Sequence, residues 1–252
     1  MRAFFILQFV FVLLAGSHAA AMQFDLKNAG FGTFFRGEYG LAVRGDASYA
    51  DSSGTGVTFD GTRTSNAGGE FGFVWSGEKS IFHLSCEVLL PKRLSGITGG
   101  VGATPYSELD TKVTAVLPQA GLDFIVRAFP ASRILASFTG GYAYVTTQNI
   151  YKMKPAGTAA YPTVSDHTET GKGNGLSLQV SAAYEFEFAD HATLIFDAGY
   201  RYLRIMALTT PEDVTTFTGA YHTGDTLKNN NGSDRTLDLG GAFAGAGFRF
   251  YF

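Results

Sequence analysis

The chain has 252 residues, 45% of them hydrophobic and only 16% charged, where a typical soluble domain carries about 25% charged residues. Its 32 glycines, 23 phenylalanines and 12 tyrosines follow no heptad or Gly-X-Y period, which excludes a disordered chain, a coiled coil and a collagen. A net charge of −3 gives no electrostatic case for nucleic acid, and the single cysteine, Cys86, excludes an internal disulfide framework and a cysteine-rich zinc site.

In chain order, Met1-Arg2 is followed by an almost wholly apolar run from Ala3 to Ala15 and by small residues from Ser17 to Ala21. That order predicts a secretory signal peptide over 1–21 and an exported domain over 22–252. The apolar run, about 13 residues, is short of the roughly 20 that a spanning helix needs. Leu14-Ala15-Gly16 has the shape of a lipobox, but Ser17 stands where the lipid-accepting cysteine would be.

Beyond Ala21 the organising period is two, the signature of strands. Eight segments alternate: Phe35–Arg44, Glu70–Ser76, Phe82–Leu90, Gln119–Ala128, Ile134–Thr147, Leu176–Phe188, Leu194–Arg204 and Leu239–Phe252. In Leu176–Phe188, Leu176, Leu178, Val180, Tyr184, Phe186 and Phe188 share one face, and Ser177, Gln179, Ser181, Glu185 and Glu187 the other. The connections alternate too: short turns around Gly77–Ser80, Phe129–Arg133 and Ala189–His191, and long polar segments such as 148–175 and 207–236 between the other pairs. A compact soluble domain seldom carries four such loops, whereas short turns at one end and long loops at the other are the layout of a membrane barrel. A β-sandwich also alternates, but here the polar face carries ionisable groups deep within strands and the apolar face carries aromatics near strand ends. A ten-stranded variant, with an extra hairpin over Gly56–Thr64, is also compatible with the pattern.

The chain closes on Phe248-Arg249-Phe250-Tyr251-Phe252, and alternating aromatics ending on Phe252 resemble the assembly signature of bacterial outer-membrane barrels. Together with the signal segment, eight alternating strands and four long loops, the sequence resembles the small eight-stranded outer-membrane proteins, the class that includes OmpA-type and OmpW-type barrels. The resemblance implies an all-β, eight-stranded antiparallel up-and-down transmembrane barrel in a bacterial outer membrane, monomeric, without a cofactor or metal. It also implies contact with the barrel assembly machinery through the C-terminal strand, with Phe248, Phe250 and Phe252 as the signal.

Strand parity assigns Arg36, Glu38, Arg44, Glu70, His83, Glu87, Asp123, Arg127, Glu185, Glu187, Asp197, Arg201 and Arg249 to the barrel interior. Seven acids against five arginines and a histidine favour an ion-pair network over a single-sign pore, because unpaired buried charges cost several kcal/mol each. Cys86 takes the lipid-facing parity beside Leu84 and Val88. The basic residues Lys92, Arg93, Lys112, Lys152 and Lys154 fall in the loop half and offer contact to lipopolysaccharide, since a lysine near an anionic surface contributes about 1 kcal/mol.

Catalytic patterns are weak. His83-Leu84-Ser85 resembles the His-x-Ser spacing of outer-membrane lipid A deacylases, but parity turns both side chains into the lumen. Asp166-His167 lacks the spacing of the omptin proteases, and His222 with Asp225 is a similarly loose pair. Gly171-Lys172-Gly173-Asn174-Gly175 precedes a strand rather than the helix a phosphate loop requires, and 229–234 has the oxygen-rich composition of a solvated turn. The sequence therefore points to a plugged barrel with a structural or surface-interaction role. The rival is an OmpW-like channel for small or hydrophobic solutes, and a lipid A-modifying enzyme stands third.

Overall fold

The computed structural model describes residues 30–42, 58–59, 65–229 and 231–252. The signal segment, Arg44 and most of Gly56–Thr64 lie outside the described residues.

In chain order the elements are β1 (Phe31–Ala42), β2 (Thr58–Phe59), β3 (Ser65–Ser76), β4 (Ser80–Pro91), β5 (Leu94–Val101), β6 (Thr104–Phe129) and β7 (Ser132–Met153). Then come a one-and-a-half-turn helix α1 (Pro155–Ala160), β8 (His167–Ala189), β9 (Ala192–Ile205), β10 (Val214–Thr216), β11 (Gly219–Tyr221), β12 (Leu237–Asp238) and β13 (Gly241–Tyr251). Eight strands close into an antiparallel ring, β1-β3-β4-β6-β7-β8-β9-β13, with β13 returning to β1. Closure leaves no unpaired edge, the condition for a sheet to cross lipid. Register places Phe35 of β1 between Phe71 of β3 and Phe248 of β13.

All eight alternating segments are wall strands, but three are much longer than the sequence indicates. β6 begins at Thr104 rather than Gln119, β7 runs on to Met153, and β8 starts at His167 rather than Leu176. The side chains keep their alternation along the whole length while its polarity inverts. On β7, Ile134, Phe138, Tyr142 and Tyr144 point outward and are exposed; further along, Thr146, Gln148 and Lys152 occupy the same outer parity. From Ile134 to Tyr144 is about 33 Å of strand at ~3.3 Å per residue, or roughly 25 Å of height at the usual barrel tilt, the depth of a bilayer's apolar band. Beyond that row the outside is mostly polar, and the inside mixes apolar side chains such as Leu109, Val113 and Tyr151 with buried Thr111, Asn149 and Glu169. Segments read as loops are therefore walls of a lobe rising out of the membrane zone.

Side chains of that lobe pack with the segment after β9. Val113, Ala115 and Leu117 of β6, Ala143 and Val145 of β7, and Leu203 and Ile205 of β9 form one core with Leu208, Tyr221, Leu227, Leu237 and Leu239. A second core at the turn end joins Phe34, Val74, Ile81, Leu135, Ala183, Ile195 and Tyr251. A small third one at the tip of the lobe holds Ile97, Leu109 and Tyr151, with Phe59, Leu94 and Phe217 against it. The turns are tight enough that His191 takes a left-handed φ of 60°.

Candidate functional site

Between the two larger cores the barrel interior is polar, and nearly every wall strand contributes to it. One cluster centres on Arg36 of β1, whose guanidinium reaches Asp197 on β9 and Glu70 on β3, both at 2.7 Å, and Glu38 at 3.5 Å. Arg201 of β9 bridges Glu38 at 2.7 Å and Glu87 of β4 at 2.6 Å. Amides complete it: Gln119 Nε2 donates to Glu70 at 2.8 Å, and Gln179 Nε2 donates to Glu87 at 3.2 Å and to the Gln119 carbonyl oxygen at 3.3 Å. The Ser85 hydroxyl donates to Glu70 at 2.5 Å.

Nearer the turn end, Arg249 joins Asp123 at 2.6 Å to Glu185 at 3.1 Å, and Arg133 Nε reaches Glu185 at 2.8 Å. The Tyr251 hydroxyl accepts from Arg133 at 2.6 Å and donates to Glu185 at 2.8 Å. His83 stands between the clusters, with Nε2 3.2 Å from Thr139 Oγ1 and Nδ1 3.6 Å from Asp123. The cavity beside it, lined by Arg36, Glu70, His83, Asp123, Asp197 and Arg249 among others, measures about 30 Å³. That is the scale of one or two water molecules.

Of the thirteen residues assigned to the interior by parity, Arg44 lies outside the described residues and Arg127 is a correction. A bulge between Ile125 and Arg127 shifts the register so that Arg127 pairs with outward-facing Ile134. Its guanidinium lies 4.9 Å over the Phe129 ring on the outer surface. Arg133 takes the interior position instead; the sequence pattern places it in a turn, whereas β7 already begins at Ser132. The other eleven face inward, ten of them in the buried network or at its edge, and Glu187 at the turn-end rim. Gln119, Gln179, Ser85 and Tyr251 also belong to the network; their parity is legible in the sequence, but a reading of charged groups alone passes over them.

The lumen is closed above this network. Leu89, Leu117, Ala143 and Leu203, from β4, β6, β7 and β9, are each 0% exposed. Above them a second buried pair, Glu169 of β8 with Arg235, holds the segment after β9 in the barrel mouth. Thr111 donates to Asn149 at 2.6 Å and Asn149 to Glu169 at 3.0 Å. Burial opposes the charge on Arg235, but the Glu169 carboxylate, through its charge and hydrogen bond, together with Tyr151 and Tyr221 holds the guanidinium above its ordinary pKa.

The weaker patterns resolve individually. His83 and Ser85 both face the lumen, and Ser85 is bonded to Glu70 rather than to His83. Asp166 accepts the Met153 backbone N–H, while His167 stacks on Tyr151 with centroids 4.7 Å apart. His222 lies 3.3 Å from Asp213, and Asp225 accepts its backbone N–H. Cys86 is exposed on the outer wall. Phe248, Phe250 and Phe252 point outward at the turn end, where Phe252 N–H bonds to the Phe31 carbonyl at 2.9 Å. Of the basic residues, Lys154 is paired with Glu108 at 2.9 Å and Arg93 with Asp110 at 3.7 Å, while Lys92, Lys112 and Lys152 are exposed.

A closed eight-stranded antiparallel ring, aromatic and apolar outside and ion-paired inside, with tight turns at one end, defines a small β-barrel of the outer-membrane type. No protein-family model matches the sequence, and no curated protein matches it significantly. Among solved structures the chain is similar to Ail, the attachment invasion locus protein of Yersinia pestis, at 13% identity and a TM-score of 0.41, over 88% of this chain and 99% of that one. It is also similar to a major outer membrane protein from Thermus thermophilus, at 14% identity and a TM-score of 0.44 over 87% and 99%. For the outer membrane protein OprG from Pseudomonas aeruginosa the values are 12% and 0.38, over 89% and 97%.

Proposed function

We propose that the protein is an exported, monomeric outer-membrane barrel that does not conduct, and that its role is structural or surface-interacting, carried by the lobe that rises beyond the lipid zone. The observation supporting this is the double seal: a paired network of charges in the membrane zone, and above it a dry apolar layer with the segment after β9 folded into the mouth. A transport protein needs a polar path, and here each guanidinium of the network is within ion-pair reach of a carboxylate while the leucines above exclude water. β13, with its outward Phe248, Phe250 and Phe252, is the strand offered to the assembly machinery.

The test is single-channel recording in a planar bilayer on refolded protein whose folding is established by heat-modifiable gel mobility. A folded, silent barrel is the expected result. Discrete conductance steps would replace this reading with the OmpW-like channel.

A further inference from the structure

Where the wall changes from apolar to polar on the outside, the chemistry of the first polar rows is uneven around the barrel. The last outward apolar side chains on one side are Val116 of β6 and Tyr144 of β7, with the amide of Asn174 beside them on β8 and Leu176 one row below it. The next two rows read Thr114, Thr146, Lys172 and then Lys112, Gln148, Thr170. Lys112 and Lys172 thus flank β7 diagonally. At ~4.8 Å per strand and ~3.3 Å per residue their Cα atoms stand roughly 12 Å apart, within reach of two lysine side chains converging above Thr146 and Gln148.

Both lysines are exposed, and among the described residues neither has a carboxylate within ion-pair distance. The backbone beneath them is rigid: Lys172 exchanges two hydrogen bonds with Thr209, each 2.8 Å, in addition to its place in β8. Two grooves open on this surface. One, of about 400 Å³, runs beside Tyr144, Thr146, Lys172, Asn174 and Thr209. The other, of about 180 Å³, lies between Arg93, Asp110, Lys112 and Gln148. Arg93 shares the second groove with Lys112 but is paired with Asp110 at 3.7 Å. Lys152 is two rows further out, in register with Glu108, and Lys154 is bound to that same carboxylate.

We propose that the outer wall of β6, β7 and β8, directly above Tyr144, binds the phosphate headgroup of an anionic membrane lipid through Lys112 and Lys172. The inference rests on the barrel spanning a membrane as described above. Charge complementarity selects the headgroup, Thr146 and Gln148 supply neutral donors between the cations, and Val116, Tyr144 and Leu176 receive the acyl chains below. The position of the pair at the apolar boundary distinguishes a lipid phosphate from a soluble anion, which has no use for that boundary.

The test is native mass spectrometry of the folded full chain in micelles, titrated with phosphatidic acid and with phosphatidylcholine of the same chains. Phosphatidic acid is expected to be retained preferentially. The Lys112→Gln/Lys172→Gln double variant should weaken it roughly 30-fold, about fivefold per lysine, and Lys152→Gln should not. Both substitutions are on exposed outer side chains, so the heat-dependent mobility shift should persist in the double variant. Equal retention by wild type and double variant would overturn the site, as would an equal loss in Lys152→Gln, which would mean diffuse surface charge. Displacement of the lipid by millimolar inorganic phosphate would overturn the lipid as the occupant. Absence of the mobility shift in the wild-type chain would overturn the barrel reading, and the site with it.

Discussion

Arg133 and Glu185 are cross-strand partners on β7 and β8, and their side chains meet at 2.8 Å inside the turn end of the barrel, at 2% and 0% side-chain exposure. Each is held by a third strand: Arg133 by the Tyr251 hydroxyl of β13, Glu185 by Arg249 of β13 and Thr193 of β9. Removing Arg133 takes one of the two guanidiniums from buried Glu185 and the donor from the Tyr251 hydroxyl, so Arg133→Ala is expected to cost about 3 kcal/mol, the lower end for breaking a buried pair. Arg127→Ala, on the outer surface over Phe129, should cost under about 0.5 kcal/mol. Urea unfolding of the two variants in micelles measures the difference, and comparable losses would return Arg127 to the interior.

The strands and their inward faces were legible because side-chain alternation survives whatever surrounds the sheet. Two features were not. A bulge at Ile125–Arg127 adds one residue to one strand, and no local composition marks it, so Arg127 carried the wrong parity and Arg133 looked like a turn residue. The second is the inversion of polarity above Tyr144: Leu109, Val113 and Tyr151 point inward while Glu108, Lys112 and Lys152 point outward, the opposite of the pattern below. A search for apolar-outside alternation ends where the lipid ends, and the same strands then read as polar loops.

Packing in the membrane zone leaves several glycines no room for a side chain, Gly121 among them. A Cβ on Gly121 would stand 2.5 Å from His83 Nε2 and 2.7 Å from the Phe138 carbonyl oxygen, so Gly121→Ala forces His83 off Thr139 or distorts the β6–β7 ladder. Overpacking of this kind costs about 1–3 kcal/mol. Gly69→Ala, whose Cβ would meet nothing within 4 Å, is the matched control and should leave stability unchanged. The midpoint temperature of the heat-dependent mobility shift reports both.

The lobe contains a group whose protonation should be visible locally. Asp213 accepts the Thr223 backbone N–H at 2.8 Å and the Thr223 hydroxyl at 3.2 Å, with His222 at 3.3 Å on its other oxygen. The Thr223 backbone bond, then His222 and the Thr223 hydroxyl, hold the carboxyl below its ordinary pKa. A lowered folded value means the bonds are complete above the ordinary aspartate value of about 3.9 and are lost as pH falls through the lower, folded one. The Thr223 amide resonance should therefore titrate below that ordinary value, and Asp213→Asn should abolish the titration while leaving the barrel resonances in place.

Arg235 is the polar anchor of the segment after β9: its guanidinium is paired with Glu169 and donates to the Lys228 carbonyl at 3.1 Å, and its backbone N–H bonds to the Leu227 carbonyl at 2.9 Å. Leu208, Leu227 and Leu237, all at 0% exposure, lie in the core just beside it. Arg235→Ala leaves Glu169 buried and uncompensated, and the segment escapes that cost by lifting out, taking Tyr221 with it. Chymotryptic cleavage at Tyr221 tracks the open population when opening is fast, so it should rise by at least about tenfold on a local loss of about 3 kcal/mol. The ring below does not depend on this pair, so the cleaved variant should keep its heat-dependent mobility and, with Leu89, Leu117 and Leu203 still sealing the lumen, should stay silent in a planar bilayer. Conductance in that variant would show that the segment after β9 is the gate and the leucine layer is not.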